Sequence, residues 1–195
     1  MHSGTKYLGG HSDVLLGLVV CSTLTESGQH IGPRMHTVQA AMGSVPSPLE
    51  CWLTLRGMRS LHLRVERQCN NAMELAEFLN NHQHVTKVHY PGLENVYPHY
   101  DVAKKQMSAF GGMMSIEVES EAMAMAVAGG VGTIRRATSL GGTETLIEHR
   151  ASIEPPERRY SPPGLLRISL GLEDINDLKD DLNTALEIAS EVVSE

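Results

Sequence analysis

The second half of the sequence alternates short apolar segments with amphipathic ones. Beyond residue 83, the apolar segments have the length and the β-branched content of strands, and the segments between them repeat apolar residues at helical spacing. The predicted strands are residues 85–90, 112–118, 134–138 and 165–170, and the predicted helices are residues 102–107, 121–128 and 174–193. This alternation predicts the α/β fold class, in which helices cover a sheet.

The first 83 residues carry three further signals. Residues 14–20 form a continuous apolar run, typical of a strand buried on both faces. Ser47-Pro-Leu-Glu50 is a capping box with proline at the first helical position, so we predict a helix that begins there and runs towards Leu55. Residues 60–80 contain neither proline nor glycine and predict a long amphipathic helix that connects two domains.

Composition excludes several classes of partner. The chain has 195 residues and a formal net charge of -7, which disfavours binding to nucleic acid or to anionic membranes. No stretch approaches the ~18 apolar residues of a membrane span. Cys21, Cys51 and Cys69 are scattered and odd in number, so we predict neither a disulfide framework nor a structural zinc site. These features are typical of the cytosol or of an organelle lumen, and we predict a cytoplasmic protein.

Ten histidines raise the question of a metal site. His82, His84 and His89 surround one predicted strand, but their spacing matches no recognisable ligand set. We therefore predict no metal.

Lys6 is the first candidate for chemistry. It follows Ser3 and Thr5 and precedes a glycine-rich turn. A lysine can form a Schiff base with a carbonyl cofactor such as pyridoxal phosphate, and neighbouring hydroxyls can bind its phosphate. A solvated lysine near a chain end has the same local spacing. Arg167 is the second candidate, because a charge between apolar strand residues needs a partner, either a structural carboxylate or a bound ligand.

A longer pattern resembles the trans-sulfuration enzymes, the pyridoxal-phosphate family of cystathionine γ-synthase, cystathionine γ-lyase, cystathionine β-lyase and methionine γ-lyase. The segment Ser3-Gly-Thr-Lys-Tyr-x-x-Gly-His-Ser-Asp13 is similar to the segment that holds the cofactor lysine in that family. Further segments follow in the family order: Gly43-Ser-Val-Pro-Ser-Pro-Leu-Glu-Cys-Trp52, Leu55-Arg-Gly-Met-Arg-Ser-Leu61, Val88-His-Tyr-Pro-Gly92, Ser139-Leu-Gly-Gly142 and Leu166-Arg-Ile-Ser-Leu-Gly-Leu-Glu-Asp174.

The resemblance implies a fold and a set of domains. It covers the C-terminal half of a fold type I pyridoxal-phosphate enzyme, which comprises the end of the large cofactor domain and the whole small α/β domain. The expected domains are residues 1–58 of the large domain, a connecting helix over residues 59–83, and the small domain over residues 84–195.

The resemblance also implies roles for individual residues. Lys6 would be the catalytic lysine that holds pyridoxal 5'-phosphate and moves protons, and Ser3 and Thr5 would bind the cofactor phosphate. Arg167 would grip the α-carboxylate of an amino-acid substrate as a bidentate fork, with help from Ser139.

Two positions depart from the family pattern. Thr138 stands where the γ-synthases and γ-lyases that act on cystathionine usually have glutamate, so the resemblance leaves the substrate open at this specificity position. Residues 149–154 differ from the His-Pro-Ala segment and longer loop of many members, which favours a branch similar to the γ-synthases.

Several residues that the family uses for activity lie outside the segments that the resemblance covers. The family aspartate of the pyridinium nitrogen, the stacking tyrosine, the glycine-rich phosphate loop and the residues donated by a neighbouring subunit have no counterpart in this sequence. We therefore expect a truncated trans-sulfuration enzyme for γ-replacement or γ-elimination, weak or inactive alone, that forms a homodimer or homotetramer. The alternative is a non-catalytic chain that associates with full-length homologues as an inactive or regulatory subunit.

Overall fold

The computed structural model describes residues 1–194 and divides into two compact units. The N-terminal unit comprises Met1–Leu61, and the C-terminal unit comprises the residues from His62 onward. The N-terminal unit contains strands β1 (His2–Ser3) and β2 (Gly17–Leu18) and helices α1 (Glu26–Met42) and α2 (Pro48–Met58). Helix α3 (Leu61–Asn80) begins at the last residue of the N-terminal unit and otherwise belongs to the C-terminal unit. The C-terminal unit also contains the following elements: β3 (Lys87–His89), α4 (Tyr100–Gln106), β4 (Met113–Glu117), α5 (Glu121–Gly130), β5 (Arg135–Arg136), β6 (Leu146–His149), β7 (Leu165–Ser169) and α6 (Ile175–Ser194).

Helix α2 confirms the predicted capping box. The Ser47 backbone N–H donates to the Glu50 carboxylate at 2.8 Å, and the Glu50 N–H donates back to the Ser47 hydroxyl. These two bonds satisfy donors that the first helical turn leaves open. The helix runs to Met58, beyond Leu55, and therefore includes Gly57.

The predicted buried strand over residues 14–20 is wrong in the described chain. Only Gly17–Leu18 is a strand, and it pairs antiparallel with His2–Ser3 alone. Leu15 and Val20 are exposed, at 84% and 75% of their surface. An apolar run becomes a buried strand only where neighbouring strands and helices cover it, and the described chain supplies one short neighbour.

Helix α1 was absent from the sequence prediction. It begins after Thr25, whose hydroxyl accepts the Gly28 N–H, and ends at Gly43, which has a left-handed φ of 67°. Gly28, Gly32 and Pro33 interrupt the apolar spacing and lower helix propensity, which is why the pattern gave no signal. None of its residues is buried.

The C-terminal unit contains a five-stranded mixed sheet. The strand order is β3-β4-β7-β6-β5, with β5 and β6 parallel and the other neighbours antiparallel. The α/β class is thus confirmed. Strand β6 was not predicted, and it lies beside β7, the central strand of the sheet.

The core lies between this sheet and helices α3, α5 and α6. Leu75 and Leu79 of α3 and Leu182 of α6 are fully buried in it, together with Ile116 and Ile168 of the sheet. Each such side chain contributes about 1.5–3 kcal/mol through burial. The packing makes β6 and β7 a rigid base for the polar side chains that they carry.

Candidate active site

The Lys6 loop comprises residues 4–13 and folds tightly in the N-terminal unit. Gly4–Leu8 forms a π-helical turn in which Lys6 departs from helical geometry, with φ -89° and ψ -128°. The Gly10 N–H donates to the Lys6 carbonyl at 2.8 Å. This turn holds the backbone before and after Lys6 in place.

Helix α2 packs closely against the Lys6 loop. Gly57 is buried, and a Cβ at this position would overlap the Gly9 carbonyl oxygen. Only glycine lets the two backbones approach in this way. The sequence analysis did not identify Gly57 as a positioning residue, because its role depends on a contact between distant parts of the chain.

Thr5 connects the Lys6 loop to β2. Its hydroxyl accepts the Leu16 N–H at 3.0 Å, and its backbone N–H donates to the Leu16 carbonyl at 3.2 Å. The Thr5 hydroxyl also donates to the Leu16 carbonyl, with Oγ1 and the carbonyl oxygen 3.5 Å apart, which is long for an O–H···O bond. Ser3 lies exposed in β1, paired with Gly17. Two hydroxyls and one amine thus lie within four consecutive residues.

Arg167 lies on β7 in the C-terminal unit, directly opposite Glu148 of β6. Its Nε donates to Glu148 Oε1 at 2.8 Å, and its Nη2 donates to the Ser139 carbonyl at 2.9 Å. The Glu148 side chain is only 5% exposed. A buried carboxylate therefore fixes the guanidinium from one edge.

Ser139 lies in a strained turn. Its φ is 106°, a left-handed value that a serine adopts at an energetic cost. The Gly141 N–H donates to the Ser169 hydroxyl at 3.1 Å, and the Gln68 side-chain amide donates to the Gly142 carbonyl at 2.6 Å. With the bond from Arg167, these contacts hold the turn at three points. Thr138, just before it, is exposed.

The structure thus distributes the candidate residues between the two units. Lys6, Ser3 and Thr5 lie in the N-terminal unit, and Ser139 and Arg167 are brought together in the C-terminal unit. Their proposed roles remain predictions. Glu148 and Gln68 were not predicted from the sequence. Glu148 had the same signal as Arg167, a charge within an apolar strand, but β6 itself went unrecognised.

Two further properties of the described residues concern metal binding and membranes. Among residues 1–194, no group of three or more His, Cys, Asp or Glu side chains is arranged to hold a metal ion. Within the same residues, no helix combines the length and the apolar character needed to span a membrane.

Comparison with known proteins identifies the family. The profile of the Cys/Met metabolism PLP-dependent enzymes matches residues 1–187. A cystathionine gamma-lyase of Bacillus subtilis (strain 168) is 42% identical over 194 residues, which are 96% of this chain and 50% of that protein. A cystathionine beta-lyase of Lactococcus lactis subsp. cremoris (strain MG1363) is 44% identical over 195 residues, with 96% and 50% covered.

A solved structure agrees with these relatives. The crystal structure of metB from Corynebacterium glutamicum superimposes with a TM-score of 0.88 at 41% identity, covering 96% of this chain and 48% of that one. The chain belongs to the Cys/Met metabolism family of PLP-dependent enzymes, whose cofactor is pyridoxal phosphate. It spans about half the length of the curated relatives that it matches.

The Lys6 loop fits part of this cofactor. An amine suits an aldehyde, and hydroxyls suit a phosphate. The weakly engaged Thr5 hydroxyl hydrogen can turn from the Leu16 carbonyl to a phosphate oxygen without loss of the bond from the Leu16 N–H. Lys6, Ser3 and Thr5 are therefore the residues of this chain that would hold the cofactor.

Proposed function

We propose that this chain supplies the lysine and the carboxylate-binding residues of a trans-sulfuration enzyme that acts on sulfur amino acids such as cystathionine. The observation that carries the proposal is the geometry of Arg167, whose guanidinium is fixed by Glu148 and by the Ser139 carbonyl. A planar guanidinium held from one edge is suited to receive a carboxylate on another edge.

Each residue has a defined task in this proposal. Pyridoxal phosphate, when bound, supplies an electron sink for bonds at the substrate's α carbon. Lys6 would hold the cofactor aldehyde and then take and return protons at the substrate carbons. Ser3 and Thr5 would bind the phosphate. Arg167 and Ser139 would orient the α-carboxylate.

The reaction would be γ-replacement or γ-elimination. Thr138 is exposed and directly precedes Ser139, and we propose that it contacts the distal part of a substrate. A threonine there offers a hydroxyl and no charge, so the distal ammonium group of cystathionine would find a neutral hydrogen-bond acceptor and no carboxylate at this position. We propose that the chain by itself is a weak or inactive enzyme, because the relatives use about twice its length.

Trapping of the cofactor with borohydride tests the proposal. The chain is incubated with pyridoxal phosphate, reduced, digested and mapped by mass spectrometry. We expect one adduct per chain on Lys6 and none there in Lys6→Ala. Lys105→Ala, which removes an exposed lysine of α4, is the matched control and should label like the parent chain. Scattered labelling, or none on Lys6, would contradict the proposal.

A second candidate function is association with full-length homologues as an inactive or regulatory subunit. It is supported by helix α1, whose exposed residues Ile31, Met35, Val38 and Met42 follow one another at helical spacing. The same stripe would serve a homodimer or homotetramer. Size-exclusion chromatography with an intact homologue distinguishes these states, since a chain that always elutes alone and as a monomer has neither function.

We also propose a cytoplasmic location. The support is that Cys21, Cys51 and Cys69 are all free thiols, which is the usual state of cysteine in a reducing compartment.

A further inference from the structure

Four charged side chains alternate in sign beside the Ser139 turn. Arg167 Nε lies 2.8 Å from Glu148 Oε1, and Arg150 Nη1 lies 3.2 Å from the same oxygen. Arg150 Nε in turn lies 3.4 Å from Glu154 Oε1. The order of charges is thus Arg167, Glu148, Arg150, Glu154. We call these four side chains the charged row, because they form a row of ion pairs.

Glu148 is the buried member of the charged row. One of its carboxylate oxygens accepts from both arginines, while Oε2 is buried and has no hydrogen-bond partner among the described residues. A buried carboxylate is costly unless it is paired. Two guanidiniums on one oxygen therefore stabilise the buried charge of Glu148, and Arg167 shares this carboxylate with Arg150.

The charged row leaves one edge of Arg167 for a ligand. Its Nε donates to Glu148, and Nη2 donates one of its two hydrogens to the Ser139 carbonyl. Among the described residues Nη1 has no hydrogen-bond partner. Nη1 and the second hydrogen of Nη2 form the end edge of the guanidinium, which can bind a carboxylate with two parallel hydrogen bonds.

Arg150 determines the net charge of the charged row, next to which a carboxylate on Arg167 would bind. With all four groups ionised the charged row has no net charge, and without Arg150 it carries one negative charge. An anion on Arg167 would then face two negative groups and one positive group, with one negative charge left uncompensated. Arg150 also lies within residues 149–154, where the sequence departs from the pattern of the resembled family.

We propose that Arg150 is a positioning residue that shares Glu148 with Arg167 and so keeps the end edge of Arg167 attractive to the α-carboxylate of an amino acid. The inference rests on the proposed function, since it assigns Arg167 the same carboxylate. Arg150 acts through Glu148 and does not itself touch the substrate.

Titration of the full chain with L-serine, followed by NMR, tests the inference. L-serinamide, which lacks the carboxylate, is the ligand control. We expect Arg150→Gln to weaken L-serine binding by about threefold to tenfold at low ionic strength, as the charge of one group several ångströms away requires. The difference should shrink in high salt, because screening acts on charge and leaves a purely structural defect unchanged.

Three further variants make the outcome decisive. Arg150→Lys keeps the charge and should restore most of the affinity, while Arg136→Gln, on the exposed edge strand β5, should bind like the parent chain. Loss of binding in Arg167→Gln with unchanged binding in Arg150→Gln would overturn the inference and leave the proposed function intact. Equal binding of L-serine by Arg167→Gln and the parent chain, or binding of L-serinamide as tight as that of L-serine, would overturn both.

Discussion

At the scale of single residues, Glu154 shows how backbone donors set the charge of a surface loop. Its carboxylate accepts the Ser161 N–H at 3.1 Å, the Ser161 hydroxyl at 2.8 Å and the Tyr160 N–H at 2.9 Å. These bonds, with a smaller contribution from Arg150, lower the pKa of Glu154 from 4.5 to about 2. These hydrogen bonds across the loop are therefore strongest while Glu154 is ionised.

The lowered pKa predicts a pH dependence of stability. The unfolded chain takes up the proton of Glu154 near pH 4.5, and the folded chain takes it up near pH 2. The stabilising contribution is thus fully present above pH 4.5 and is lost as the pH falls from 4.5 towards 2. We expect Glu154→Gln to flatten the fall of the urea midpoint over this range.

Glu157→Gln is the matched control for this prediction, because Glu157 is an exposed carboxylate of the same loop. Its urea midpoints should follow those of the parent chain throughout the titration. If Glu154→Gln and the parent chain lose stability in parallel below pH 4.5, the hydrogen bonds of Glu154 do not contribute as described.

Residue-scale patterns predicted one side of the Arg167–Glu148 ion pair. Arg167 was identified because an isolated charge in an apolar strand needs a partner, and the structure supplies Glu148 and the Ser139 carbonyl. Glu148 could not be paired with it from sequence, since the pairing depends on the register of β6 against β7. Register is set by tertiary packing and loop geometry, which local patterns do not contain.

At the scale of elements, the helices with strong local sequence signals were the ones predicted correctly. The capping box placed the start of α2 correctly, and the absence of proline and glycine over residues 60–80 predicted α3. Helix α1 was not predicted because its glycines and proline lower helix propensity. The strand predicted over residues 14–20 is wrong for another reason. Its apolar pattern is typical of a strand that is covered on both faces, and the described chain does not provide that cover.

The contact between α2 and the Lys6 loop makes a testable prediction. In Gly57→Ala the new Cβ would overlap the Gly9 carbonyl oxygen, so the helix and the loop must separate. Overpacking of this kind costs about 1–3 kcal/mol. We expect a lower free energy of unfolding for the N-terminal unit and less borohydride-trapped cofactor on Lys6.

The control for this variant is Gly17→Ala in β2, where a new Cβ meets no atom within 4 Å. It should keep the trapping yield and stability of the parent chain. Full trapping on Lys6 in Gly57→Ala would mean that the close approach of α2 does not hold the Lys6 loop in place.

At the scale of the whole molecule, the two units differ in how much apolar surface they bury. Among the described hydrophobic residues of Met1–Leu61, only Val14 is buried, at 7% exposure. The C-terminal unit contains the whole hydrophobic core formed by α3, α5, α6 and the sheet. Since burial of apolar surface is the dominant stabilising term in folding, the stability of the chain is concentrated beyond residue 61.

This asymmetry predicts unfolding in two steps. We expect the N-terminal unit to open at lower urea concentration than the C-terminal unit, because it has little buried surface to lose. Hydrogen-exchange mass spectrometry at increasing urea should show peptides of residues 1–61 exchanging first. Cys69, buried in the C-terminal unit, should stay protected from thiol reagents until the second step, whereas Cys21 and Cys51 should react in the first.

A shortened chain provides the control for this prediction. Residues 62–195 alone should keep the second step at the same urea concentration, because every buried member of the hydrophobic core lies at Ala72 or beyond. A single transition, in which Cys21, Cys51 and Cys69 become reactive together, would show that the two units fold cooperatively. The Lys6 loop would then owe its stability to the same core that supports Arg167, and variants such as Leu182→Ala in α6 would reduce cofactor trapping on Lys6 as well.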